Sequence, residues 1–253
     1  MKLYKEWKMI EWRFIVVLII MVSSAVVVVL TRNIAIGALN SPQVQEYLKR
    51  VKGISHILNE ISTNYTYYSF TQWFGKSYVQ LVAIFAAILS FPAFSKEFSK
   101  KTIYLLAGRM SRREIYLSKM IVGYIVFSVI TFSGGIGYLL TSQIVGYHLS
   151  FQQAFSWTFM TSVGGLLLYQ IGVYISLLFK DQVKALLLDI AIYVGLYVLS
   201  MIKSMNFLNV FGYMSRVNVL YGKGVDVIST LIVCAVCAAI SVGTYFQFKY
   251  KDL

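Results

Sequence analysis

Six apolar runs divide this sequence, at about 14–36, 73–94, 115–143, 151–179, 185–203 and 227–248. Each is near or above the roughly 20 residues that a helix needs to cross the hydrocarbon core of a bilayer. Inside lipid the backbone has no water to bond to, so a crossing segment must satisfy its own N–H and C=O groups as a helix. The runs therefore predict an all-α integral membrane protein with six crossings. At about 20 residues per crossing plus loops, a chain of 253 residues is filled by them. We expect one transmembrane domain over 1–253 and no soluble domain beside it. Composition agrees: 58% of residues are hydrophobic and 13% charged, where soluble domains carry about a quarter charged.

The net charge is +13. The basic residues flank apolar runs and form no separate basic face, so anionic lipids are the expected counter-charges and nucleic acid is not an expected partner. With both termini inside, 15 Lys and Arg fall on the inner side and eight on the outer. That bias predicts a multi-pass protein of the cell membrane with both termini in the cytoplasm.

In order, residues 1–13 place Leu3, Trp7, Ile10 and Phe14 at helical spacing among charged residues, which predicts a separate interfacial helix. A signal peptide is the competing reading, but Glu6, Glu11 and two tryptophans make a poor basic leader. Between 32 and 72 lies a polar loop. Within it Ser41-Pro42 opens a helix, with Val44, Leu48, Val51, Ile54 and Leu58 on one side, so 41–61 is read as an amphipathic helix on the outer surface. The stretch 203–226 is read as an outer loop able to dip into the bundle. Gly134, Gly135, Gly164, Gly165 and Gly172 are read as helix-packing positions.

Few residues offer chemistry. Cys234 and Cys237 sit in an apolar run with nothing to lower a thiol pKa, and are read as packing residues. His56 and His148 are far apart, so no metal and no cofactor is expected. Gly75-Lys76-Ser77 lacks the first glycine of a phosphate loop. Asp189 is an acid inside a crossing. It either serves gating or proton movement, or is accommodated by Lys184 or the interface.

The most ordered polar stretch is 95–119, with seven of the 23 basic residues. Phe98, Ile103, Leu106 and Met110 can gather on one side of a helix, and Ser111 with Glu114 can form a capping box. The run Glu97, Thr102, Leu105-Leu106, Ser111-Arg112 and Lys119 resembles the first cytoplasmic loop of type-2 ABC exporter permeases. Lys101 stands where that family often has Gly, and Arg109 where it often has Pro.

The resemblance implies an exporter half with six transmembrane helices, a coupling loop at 95–114 and a separate ATPase that binds ATP and Mg. It implies that Glu97, Lys100, Lys101, Thr102, Leu105, Leu106, Ser111, Arg112 and Arg113 carry the joint with an ATPase dimer. Arg112 and Arg113 would pair with its acids. A second permease copy or a paralogue completes the assembly. The chain itself would not be an enzyme. Its aromatic and aliphatic crossings favour a hydrophobic or amphipathic cargo. Similar small permeases export peptides, in bacteriocin immunity, bacitracin-type resistance and phenol-soluble-modulin export. Lys, Ile, Tyr and Asn usage suits a low-GC Gram-positive bacterium. The alternatives are a non-transporting membrane scaffold or immunity protein, and a membrane lipid enzyme.

Overall fold

The computed structural model of the chain describes residues 2–39, 41, 60–202 and 209–251. Among these residues the fold is helical and contains no strand. The first crossing is α1 (Lys2–Leu30), followed after a one-residue turn by α2 (Arg32–Leu39). The second crossing is assembled from α3 (Tyr65–Ser69), a π-helical stretch (Phe70–Ser77), α4 (Tyr78–Ser90) and α5 (Pro92–Ser99). Then come α6 (Thr102–Ala107) and the long crossings α7 (Arg112–Ile144), α8 (Phe151–Leu178) and α9 (Gln182–Ser200). α10 (Val210–Met214), a 3-10 turn (Val217–Tyr221) and the last crossing α11 (Val227–Tyr250) complete the chain. Among the described residues six helices are long and apolar enough to cross a membrane.

The structure changes three sequence expectations. Residues 2–13 are not a separate interfacial helix. They continue into the first crossing, because no Pro or Gly interrupts Lys2–Leu30. That crossing ends at Leu30, not near 36, and the second begins at Tyr65, not 73. Asn64 caps α3 by accepting the Thr66 and Tyr67 N–H groups. The helix expected at 41–61 lies almost wholly outside the described residues.

α8 is the centre of the bundle and packs on α4, α7, α9, α10 and α11. Its small residues set the spacing. A β-carbon on Gly165 would run into Val82 and Phe127, and one on Gly172 into Ser90. α1 lies along α7 instead, with Met21 over Gly134. Aromatic rings fill the half near α3: Trp73 stacks on Tyr138 and Phe74 on Trp157, at 5.7 and 5.0 Å between centroids. Several polar groups inside are paired across helices. Tyr138 donates to Ser69 Oγ (3.0 Å) and the Gln170 amide to Thr244 Oγ1 (3.1 Å).

The two ends of the bundle differ. One carries α2, α3 and α10. There the Trp157 indole donates to the Arg216 carbonyl (3.2 Å) and Thr161 to that of Met214 (3.1 Å). The 209–222 stretch is thereby folded onto α8, with Met214 fully buried. Asp226 closes this stretch: it caps α11 through the Ser229 N–H (3.1 Å) and hydroxyl (2.8 Å) and pairs with Arg216.

These hydrogen bonds from Ser229, with Arg216 nearby, hold the Asp226 carboxyl below its usual pKa. A carboxyl lowered on folding stabilises the fold above its unfolded pKa of about 4, and that stabilisation is lost as pH falls through the folded value. The amide-exchange protection factor over 209–229, taken relative to the intrinsic rate at each pH, is therefore expected to fall at acidic pH relative to neutral. In Asp226→Asn it should already be low at neutral pH and change less with acid.

Candidate functional site

The opposite end gathers the first turns of α1, all of α5 and α6, the start of α7 and the end of α11. Pro92 lacks an N–H and opens α5 at its first position. The N–H groups of Phe94 and Ser95 then need outside acceptors, and Ser176 of α8 accepts both, at 2.9 and 3.0 Å. The same hydroxyl donates to the Phe91 carbonyl (2.7 Å). One side chain thus fixes the direction in which the chain leaves the second crossing.

α5 delivers Glu97 into the bundle. Lys119 of α7 lies 3.1 Å from Glu97 and 3.1 Å from Glu6 of α1, and Lys5 lies 3.3 Å from Glu97. The Glu97 and Lys119 side chains are only 2% and 4% exposed. Two acids and two bases from three helices thus form a neutral cluster, with the Lys119 ammonium also over the Phe94 ring. Buried charges are tolerable only when compensated in this way. Glu97 was expected at the ATPase joint; the structure places it inside, where it can orient the loop but not touch a partner. Its pairing with Lys5 and Lys119, and that of Lys119 with Glu6, was not anticipated, since residues 6 and 119 carry no local signal of their pairing.

The loop beyond Glu97 is two-faced. Phe98 and Ile103 are buried and Leu106 and Met110 pack on the core. Lys100, Lys101, Tyr104, Arg109 and Arg113 are exposed. Lys101 adopts a left-handed conformation (φ 56°), where glycine would be relaxed and lysine costs about 1 kcal/mol. This is the position at which the resembling family often has glycine. Thr102 starts α6 with its hydroxyl 3.5 Å from the Glu97 carbonyl. Leu105 lies within α6.

Ser111 and Glu114 form the capping box of α7. Arg112, expected to reach an ATPase acid, is engaged elsewhere. Its guanidinium donates to the Lys249 and Lys251 carbonyls, both at 2.7 Å, and so caps the end of α11. Lys251 in turn sits over the Phe98 ring, 4.4 Å from its centroid, and donates to the Leu177 carbonyl. Arg113 remains the outward-facing arginine of the pair.

Among the described residues Asp189 makes no ion pair with Lys184. It is fully buried where α4, α8 and α9 meet, accepts from Ser90 (3.2 Å) and lies against Gly172. Its other oxygen has no hydrogen-bond partner among the described residues. Beside it, α4 and α9 flank an apolar groove of about 560 Å³, lined by Ala83, Ile84, Ala87, Ile190, Tyr193 and Phe211. Gln80 is its polar exception. The cysteines are unpaired, and among the described residues no His, Cys, Asp and Glu group could hold a metal.

Comparison with known proteins adds one finding. The family model described as ABC-2 family transporter protein matches residues 3–253. No curated protein matches the chain, and no solved structure does.

Proposed function

Because the chain belongs to the ABC-2 family of transporter proteins, a family of multi-pass membrane permeases that work with an ABC ATPase, we propose that it is the transmembrane half of an ATP-driven exporter. The observation that carries the reading is the buried cluster of Lys5, Glu6, Glu97 and Lys119 behind the two-faced loop. An ATPase dimer contacts the exposed face, through Lys100, Lys101, Tyr104, Arg109 and Arg113. The buried face and the cluster pass its movement to α1 and α7 as a rigid unit. ATP and Mg reside in that ATPase; this chain supplies no catalytic group. The loop end then lies in the cytoplasm, with both termini, which agrees with the distribution of Lys and Arg.

The groove between α4 and α9 indicates the cargo. Its wall is almost wholly aliphatic and aromatic, with one amide, and suits a hydrophobic or amphipathic molecule such as a membrane-active peptide. A second permease copy, identical or paralogous, completes the pathway.

The test is co-purification with a candidate ABC ATPase, followed by ATP hydrolysis in vesicles. Arg113→Glu with Lys101→Glu should weaken the complex by on the order of tenfold or more, because two attractive charges become repulsive. Arg112→Ala should leave binding nearly intact and loosen the end of α11. An unchanged complex in the double variant would move the joint elsewhere, and no association with any ATPase would return the chain to a scaffold or immunity role.

A further inference from the structure

Outside the joint and the groove, a small cleft lies between α1, α5 and α7, beside the buried cluster. It measures about 50 Å³ and is lined by Glu6, Arg13, Pro92, Lys96, Lys119 and Tyr169. Lys119 is neutralised by Glu6 and Glu97. Arg13 and Lys96 are not: neither has an acidic side chain within ion-pair distance among the described residues. Both are half-buried. Arg13 is held with its guanidinium 5.2 Å from the centre of the Phe91 ring.

Two cations without an ion pair converge on a half-closed cleft, an arrangement that favours an anion. The cleft's depth says where the anion comes from. It lies where α1 changes from charged to apolar sequence and where the second crossing ends, at the level along α1 of the exposed Trp12, a residue type that marks the head-group level. Its volume is about four times that needed for one water, the scale of a phosphate group. Arginine presents a planar fork that fits phosphate oxygens in pairs.

We propose that this cleft binds the phosphate of an anionic lipid head group, with Arg13 and Lys96 as its ligands. The bound phosphate bridges α1 and α5 next to the Lys119 cluster. This inference does not depend on export: it holds equally for a scaffold.

The test is native mass spectrometry of the detergent-purified full chain, with phosphatidylglycerol, phosphatidylcholine or inorganic phosphate as probe. The wild type should retain one phosphatidylglycerol per chain against phosphatidylcholine. Arg13→Gln/Lys96→Gln should lose retention by about thirtyfold, from about 1 kcal/mol for each of the two basic residues. Arg13→Lys should keep most of it. Lys180→Gln/Lys184→Gln, which removes exposed cations of the turn between α8 and α9, should keep all of it. Lys96→Gln alone, read as loss of the thermal shift that phosphatidylglycerol produces, serves if the double variant fails to fold. Unchanged retention in the cleft variants overturns the site. Equal loss in the Lys180/Lys184 variant reduces it to general surface charge. Stabilisation by inorganic phosphate and not by the lipid makes the ligand a soluble phosphate.

Discussion

Glu97→Ala should destabilise the protein by about 3–5 kcal/mol, the largest single-residue loss expected in the loop. The size follows from what remains. Lys119 would keep only Glu6, at 3.1 Å, while its side chain stays 4% exposed. A buried ammonium that loses half of its compensation cannot recover it from water. Lys119→Ala should cost a similar amount, since it leaves two buried carboxylates facing each other. The exposed Lys8–Glu11 pair is the internal comparison, at 2.7 Å with side chains 53% and 33% open. Breaking it should cost under about 1 kcal/mol. Replacing both buried partners, Glu97→Leu with Lys119→Met, removes the charges together and should return most of the stability. Thermal unfolding in detergent across these four variants decides the matter: additive losses in the double variant would mean that the two residues do not act as a pair. Because the double variant should fold, its ATP hydrolysis with the partner ATPase separates stability from coupling. On the proposed function it binds the ATPase but transmits less.

That cluster also shows where sequence reasoning stopped. Hydropathy finds the crossings because lipid imposes one requirement on every residue of a span. It misplaced the start of the second, since Tyr65, Tyr68 and Ser69 read as polar. Inside the bundle their hydroxyls are spent on Ser142, the Val28 carbonyl and the Tyr65 carbonyl. The Ser111–Glu114 box was legible because both halves lie within one turn. The two-faced loop was legible for the same reason. The partners of Glu97, Arg112 and Asp189 were not, because each lies on another helix: Lys119, the end of α11, and Ser90. A charge in a sequence announces that it needs a partner, not which helix supplies it.

The second large effect belongs to Gly172, where α8 touches both α4 and α9. A β-carbon there would lie 2.7 Å from Ser90 Cβ and 2.9 Å from Asp189 Oδ2, besides overlapping the Ser90 hydroxyl. Rotating Ser90 moves its hydroxyl but not its Cβ, which is fixed to the backbone, so the two helices must part. Parting them also pulls Ser90 from Asp189, whose only hydrogen bond among the described residues is this one. Overpacking typically costs about 1–3 kcal/mol, and weakening the sole bond of a buried carboxylate adds to it. Gly172→Ala should therefore lower the melting temperature clearly, while Gly195→Ala, with nothing within 4 Å of its added carbon, should not. Ser90→Gly in the Gly172→Ala background makes room again but leaves Asp189 unbonded, so it should restore only part of the loss. Full restoration would assign the whole effect to sterics and make the Ser90–Asp189 bond dispensable; no restoration would mean that α4 is not what the new methyl meets. The groove shares α4 and α9 with this contact, so the same variant should also change cargo export, and Gly195→Ala should leave it unchanged.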